Sequence, residues 1–146
     1  MSQDVVQREL VLISKHLIAS ENISHLELNR LARQLLWCEL GSPEKPRDTD
    51  YAPALMVPHE VRARVQRYQT VEQSEIAAMI VDNRIDVAGN LVGTVRIVDT
   101  HPKAATLKKK LMQPKCGLVI HPRIGYTFGR FNQREAKVFG FDVGFK

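Results

Sequence analysis

Two β-rich runs joined by one turn pair constrain this chain more than any other feature. Ile76-Ala-Ala-Met-Ile-Val and Arg84-Ile-Asp-Val lead into Ala88-Gly-Asn, and Leu91-Val-Gly-Thr-Val-Arg-Ile-Val resumes the pattern. Gly and Asn supply the left-handed backbone positions that a tight hairpin turn requires. The spacing predicts a β-hairpin over residues 76–98 turning at Gly89-Asn90. Pro102 pre-sets the first turn of a helix, and Lys103 to Met112 continue it, with Ala105, Leu107 and Leu111 expected inward before Pro114 ends it. Leu118-Val-Ile and Ile124-Gly-Tyr-Thr-Phe read as two short strands, with a turn at Gly129, and residues 137–145 as the closing strand. Hairpins outnumber crossover helices, so the expected class is α+β with a mixed or antiparallel sheet or small barrel.

The N-terminal 40 residues read differently. Over residues 4–18, Val5, Leu12, His16 and Ala19 fall on one side of a helix, widened by Leu10, Ile13, Leu17 and Ile18. Ser24, with Glu27 three residues on, has the form of a capping box, and Leu26, Leu28, Leu31, Ala32, Leu35 and Leu36 follow helical spacing up to Gly41. An N-terminal helical hairpin is therefore expected over residues 1–40. Pro43 and Pro46, in a stretch poor in apolar residues, mark a linker over 41–57. Residues 58–146 then form the α+β domain, opened by a basic helix from Pro58 to Gln69.

Composition narrows the function classes. An apolar content of 44% with 25% charged residues fits a globular domain. No apolar run reaches the roughly 18 residues of a membrane helix, and no signal peptide or membrane role is expected. Cys38 and Cys116 are too few for a disulfide framework and lack zinc-ligand neighbours. His16, His25, His59, His101 and His121 are scattered, and no glycine loop is built to cradle phosphate, so neither metal nor cofactor is expected. The net charge of +5 permits an acidic partner.

Over roughly residues 58 to 143 the order of pieces resembles the prohead proteases of tailed phages, serine enzymes with an assemblin-like fold that cut scaffold and capsid proteins during head maturation. The pieces are Asp86-x-x-Gly89-Asn90-Leu91-x-Gly93, then Ile97-Val-Asp-Thr100, then a helix with Leu107, Lys110 and Leu111, then the Arg123 position and a closing Phe141-Asp-Val143. The resemblance implies a sheet or barrel of the prohead-protease type. In that family the strand after the helix carries Ser-Ser-Arg-Gly, with a serine as nucleophile. Here those positions are His121-Pro122-Arg123-Ile124, and Ser74 is the last serine in the chain. His59 lies near the family's catalytic histidine, although Pro58 precedes it; it is either that equivalent or an ordinary exposed histidine.

A kept scaffold with a lost nucleophile implies a non-catalytic virion or head-assembly protein acting by protein–protein binding. Its partners would be capsid, neck or tail proteins, or further copies of itself, in the virion and in the host cytoplasm during assembly. Two other readings stay open. One is an active maturation protease with a displaced nucleophile, Cys116, Thr106 or Thr127. The other is a small basic nucleic-acid-binding protein using Arg62, Arg64, Arg67 and Lys108, Lys109 and Lys110. The aromatic residues Tyr126, Phe128, Phe131, Phe139, Phe141 and Phe145 serve either the core or a contact surface.

Overall fold

The chain runs β1 (Gln7–Ile13), α1 (Lys15–Glu21), α2 (His25–Ala32), β2 (Leu36–Leu40), α3 (His59–Gln69), β3 (Ile76–Ile85), β4 (Leu91–Ile97), α4 (Ala104–Leu111), β5 (Leu118–Phe128) and β6 (Arg134–Phe145). This computed structural model describes residues 5–41, 59–128 and 134–146. The strands form one mixed sheet in the order β1-β4-β3-β2-β6-β5, curled into a half-barrel. Neighbours are antiparallel except β2 and β6, which run parallel. The α+β class and mixed sheet expected from the hairpin-rich sequence are what the chain adopts.

The β3–β4 hairpin turns where Gly89 and Asn90 put it. Gly89 has φ of +96°, and the Asp86 N–H donates to the Asn90 carbonyl at 2.9 Å. The Asp86 carboxylate accepts from the backbone N–H groups of Ala88 (3.0 Å) and Asn90 (2.9 Å), which fixes the loop. On α4 the buried residues are Ala104, Leu107 and Leu111, one position earlier at its start than the expected Ala105. The two short strands expected after it are one strand, β5, with an irregularity between Arg123 and Ile124 where its register with β6 shifts.

The N-terminal helical hairpin is not what forms. Residues 7–13 are β1, paired with β4, and residues 36–40 are β2, seated between β3 and β6. The first segment carries two periods at once. At period two, Val6, Arg8, Leu10 and Leu12 alternate with Gln7, Glu9 and Val11, and β4 offers a free edge that rewards this reading. On the outer face Glu9 accepts from Arg84 (2.8 and 3.0 Å), and Gln7 Oε1 accepts from Arg96 (3.1 and 3.0 Å). Arg8 points the other way and donates to the carbonyls of Leu111 (3.0 Å), Gln113 (2.6 Å) and Pro114 (3.3 Å), satisfying groups that the C-terminal end of α4 leaves open. The Ser24 cap does form, its hydroxyl accepting from the Glu27 N–H at 3.1 Å. That helix stops at Ala32, because Leu36 and Cys38 enter the sheet instead. Beyond Gly41, the expected linker lies outside the described residues.

Leu107, Leu111, Ile80, Val95, Phe141 and Val143 are fully buried and anchor the core inside the curl. The opposite side of β6 and β5 is covered by α3. Tyr68 donates its hydroxyl to the Ile124 carbonyl at 2.9 Å and meets Phe139 edge-to-face at 6.1 Å. A Cβ on Gly140 would come within 2.9 Å of Val71, so glycine there lets the segment after α3 lie close to the sheet.

Candidate functional site

Between α3 and the sheet lies a buried charged cluster. The parallel register sets Glu39 of β2 beside Asp142 of β6, and Arg123 reaches both from β5. Arg123, Asp142 and Glu39 are only 2%, 2% and 1% exposed. Arg123 grips Asp142 with two prongs, Nε to Oδ2 at 2.9 Å and Nη2 to Oδ1 at 2.6 Å, and Nη2 also donates to Glu39 Oε2 at 2.5 Å. Its remaining nitrogen donates to the Thr70 carbonyl at 2.6 Å. From the last turn of α3, Arg67 donates to both Glu39 oxygens, Nη1 to Oε2 at 2.9 Å, and the Glu72 N–H adds a bond to Oε2 at 3.2 Å.

Two guanidinium groups and two carboxylates cancel in charge, which is the condition under which such groups tolerate burial. Burial pushes the Glu39 carboxyl up, but the hydrogen bonds from Arg67, then Arg123 and the Glu72 N–H, outweigh it and hold the group below the usual carboxylate range. For Arg123, burial works against the charged form, while Asp142 and Glu39 more than restore it. Cys38, on the neighbouring position of β2, is fully buried; burial and then the Asp142 charge push its thiol far up, against a smaller pull from Arg123. Each member of the cluster is partnered by another, and Arg67 alone of the four reaches solvent. Among the described residues, the cluster holds no hydroxyl or thiolate nucleophile.

Of the residues singled out in the sequence, Arg123 is central to this cluster and Arg67 is one of its partners. His121 sits opposite Asp142 in the β5–β6 register but is exposed. His59 opens α3, eight residues and so about 12 Å along the helix axis from Arg67. Arg62 is half-buried and Arg64 exposed. Cys116 is buried, its thiol directed at the Leu118 carbonyl at 3.6 Å. Thr106 is exposed on α4, and the Thr127 side chain lies outside the described residues. Among the aromatic residues, Tyr126 and Phe141 are core and Phe145 is 42% exposed, while Phe131 lies outside the described residues. Glu39 escaped the sequence reading. Its signal is a lone acid inside Leu36-Trp-Cys-Glu-Leu40, matched by Asp142 inside Phe139-Gly-Phe-Asp-Val143. Among the described residues, no group of three or more His, Cys, Asp and Glu side chains could hold a metal ion.

A groove lies between α2 and β6, lined by Asn22, Leu26, Arg30, Arg33, Ala136 and Lys137 among others. β6 spans Arg134–Phe145, yet β2 pairs only with its residues 141–143. Further along that side, side chains replace a strand. Glu27 accepts the Val138 N–H at 2.6 Å and Arg30 donates to the Val138 carbonyl at 2.8 Å, while Arg30 also grips Glu27 at 2.6 and 2.8 Å. Strand alternation turns the Ala136 N–H and C=O to the same side as those of Val138, toward the groove. Leu26 stands on its wall, 81% exposed.

The chain matches no family model, no curated protein and no solved structure.

Proposed function

We propose that this chain is a non-catalytic assembly protein of a tailed-phage head, built on a prohead-protease-like half-barrel and acting by binding other virion proteins. The observation that carries the non-catalytic half is the fate of the strand that bears the nucleophile in the prohead proteases. Here it presents an exposed imidazole, a proline ring and an arginine committed to two buried carboxylates. The displaced-nucleophile alternative needs an activated thiolate or hydroxyl. Cys38 is buried with its thiol pushed up, and Cys116 is buried against a carbonyl, so neither favours it.

The groove between α2 and β6 supports the binding half. A strand edge that no other described strand covers, beside an exposed leucine, suits an extended segment of a capsid, neck or tail protein that adds as a further strand. The test has two arms. Purified full-length protein, incubated with scaffold and capsid proteins of a tailed phage, leaves them uncut, and His121→Ala changes nothing enzymatic. Mixed with assembled heads, the wild type co-sediments and Ala136→Pro, which removes the edge N–H, co-sediments less. Turnover that disappears on changing Cys116 or Thr127 would replace this reading with an active protease.

A further inference from the structure

Charge in this chain is segregated. From Thr100 to Arg134 there is no Asp or Glu but eight Lys and Arg residues, so this stretch carries +8 of a net +5 and the remainder carries −3. The fold takes Arg123 inward and leaves the lysines at the surface. On α4, Ala104, Leu107 and Leu111 face the core, and at about 100° per residue Lys109 falls at the centre of the solvent side, flanked by Lys108 and Lys110. Lys108 is paired with Asp99; Lys103 and Lys109 are exposed and have no acidic partner among the described residues.

The loop leading into α4 also walls a pocket. Trp37, Ile76 and Val98 supply its apolar surface, and Ser74, Thr100 and His101 its polar rim. Trp37 is the single tryptophan of the chain, and it stands 39% exposed on β2. His101 Nδ1 accepts the Lys103 N–H at 3.0 Å, which puts that lysine's backbone at the pocket rim. Lys109 follows about 9 Å further along the helix axis, from six residues at a rise of about 1.5 Å each.

We propose that this pocket and the lysines of the segment that follows it bind single-stranded nucleic acid, with a base stacked on Trp37, the adjacent phosphate on Lys103 and one further along the strand on Lys109. An exposed indole gives a stacking platform that accepts any base, and unpaired lysines give the backbone track. A docked protein is a poorer match, because interface cores are depleted in lysine. The inference is independent of the head-assembly reading.

The lone tryptophan makes the test direct. Titrating full-length protein with a thymidine oligonucleotide quenches its emission, and affinity falls with salt. Lys103→Gln with Lys109→Gln makes the fall of log affinity with log salt shallower, by about 0.7 for each phosphate that a lysine no longer neutralises. Trp37→Leu, checked for folding by circular dichroism, weakens binding about tenfold, and the lysine variant serves as the second measure if it does not fold. Equal binding of duplex DNA without quenching, equal binding of polyglutamate, equal affinity for thymidine monophosphate alone, or no binding at roughly 50 mM salt would each overturn the proposal.

Discussion

Helices α3 and α4 are both short and both basic, yet they place their charge in opposite directions. The last turn of α3 sends Arg67 into the sheet, where it meets Glu39 beside Arg123 and Asp142. The last turn of α4 holds Lys108, Lys109 and Lys110 at the surface, where, among the described residues, only Lys108 is paired to an acid. Side-chain chemistry explains the division. A planar guanidinium satisfies two carboxylates at fixed geometry and is weakly hydrated, whereas an ammonium on a flexible stem keeps its water. Formal charge therefore says little about what a basic helix does. Residue type and the presence of a buried acid across from it say much more.

The largest effect belongs to the buried side of this contrast. Arg123→Met leaves Glu39 and Asp142 facing each other in a dry site, and should cost about 3–5 kcal/mol in urea unfolding. The triple change Glu39→Leu, Arg123→Met and Asp142→Leu should recover part of that loss, because no charge is then stranded; Arg67, 38% exposed, can turn to water. If the single variant is as stable as the wild type, Arg123 does not hold the two buried carboxylates in the way its contacts indicate.

Acid should weaken the same site. Glu39 has a folded pKa below its ordinary value of 4.5, because the arginine and backbone hydrogen bonds outweigh burial. As pH falls, the unfolded chain takes up this proton first. The stability Glu39 contributes is thus whole above about 4.5 and is lost as pH drops through the lower folded value. Glu27 is also lowered and shares the window. Glu39→Gln should therefore flatten, without abolishing, the fall in melting temperature below that pH. An unchanged slope would mean that Glu39 does not titrate with folding.

Much of the central fold was legible in the sequence, and the misses have physical causes. The turn at Gly89-Asn90 and the proline-bounded α4 are local, so local signals were enough. β1 was not legible as a strand because Val6 to Ile13 satisfies both a helical and a two-residue period; the free edge of β4 decided between them, and that edge is a tertiary fact. β2 was hidden by the leucine spacing that runs on from α2. In the site, Arg123 was visible through a family resemblance, but its acids were not. Glu39 and Asp142 are 103 residues apart in the chain, and only the parallel β2–β6 pairing makes them neighbours.

The smallest effect separates the two helices most cleanly. Arg67→Gln and Lys109→Gln each remove one positive charge from the last turn of a basic helix. The first takes two hydrogen bonds from a buried carboxylate, though Arg123 and the Glu72 N–H still hold it, and should cost about 1–2 kcal/mol. The second removes a solvated ammonium whose interaction with the helix C-terminus is worth only a few tenths, so stability should change by less than about 0.5 kcal/mol. Paired urea titrations in one buffer read this difference directly, and adding salt should leave the Arg67 loss largely intact because its partner is shielded from solvent. Equal losses for the two variants would show that charge alone, and not its placement, governs both helices.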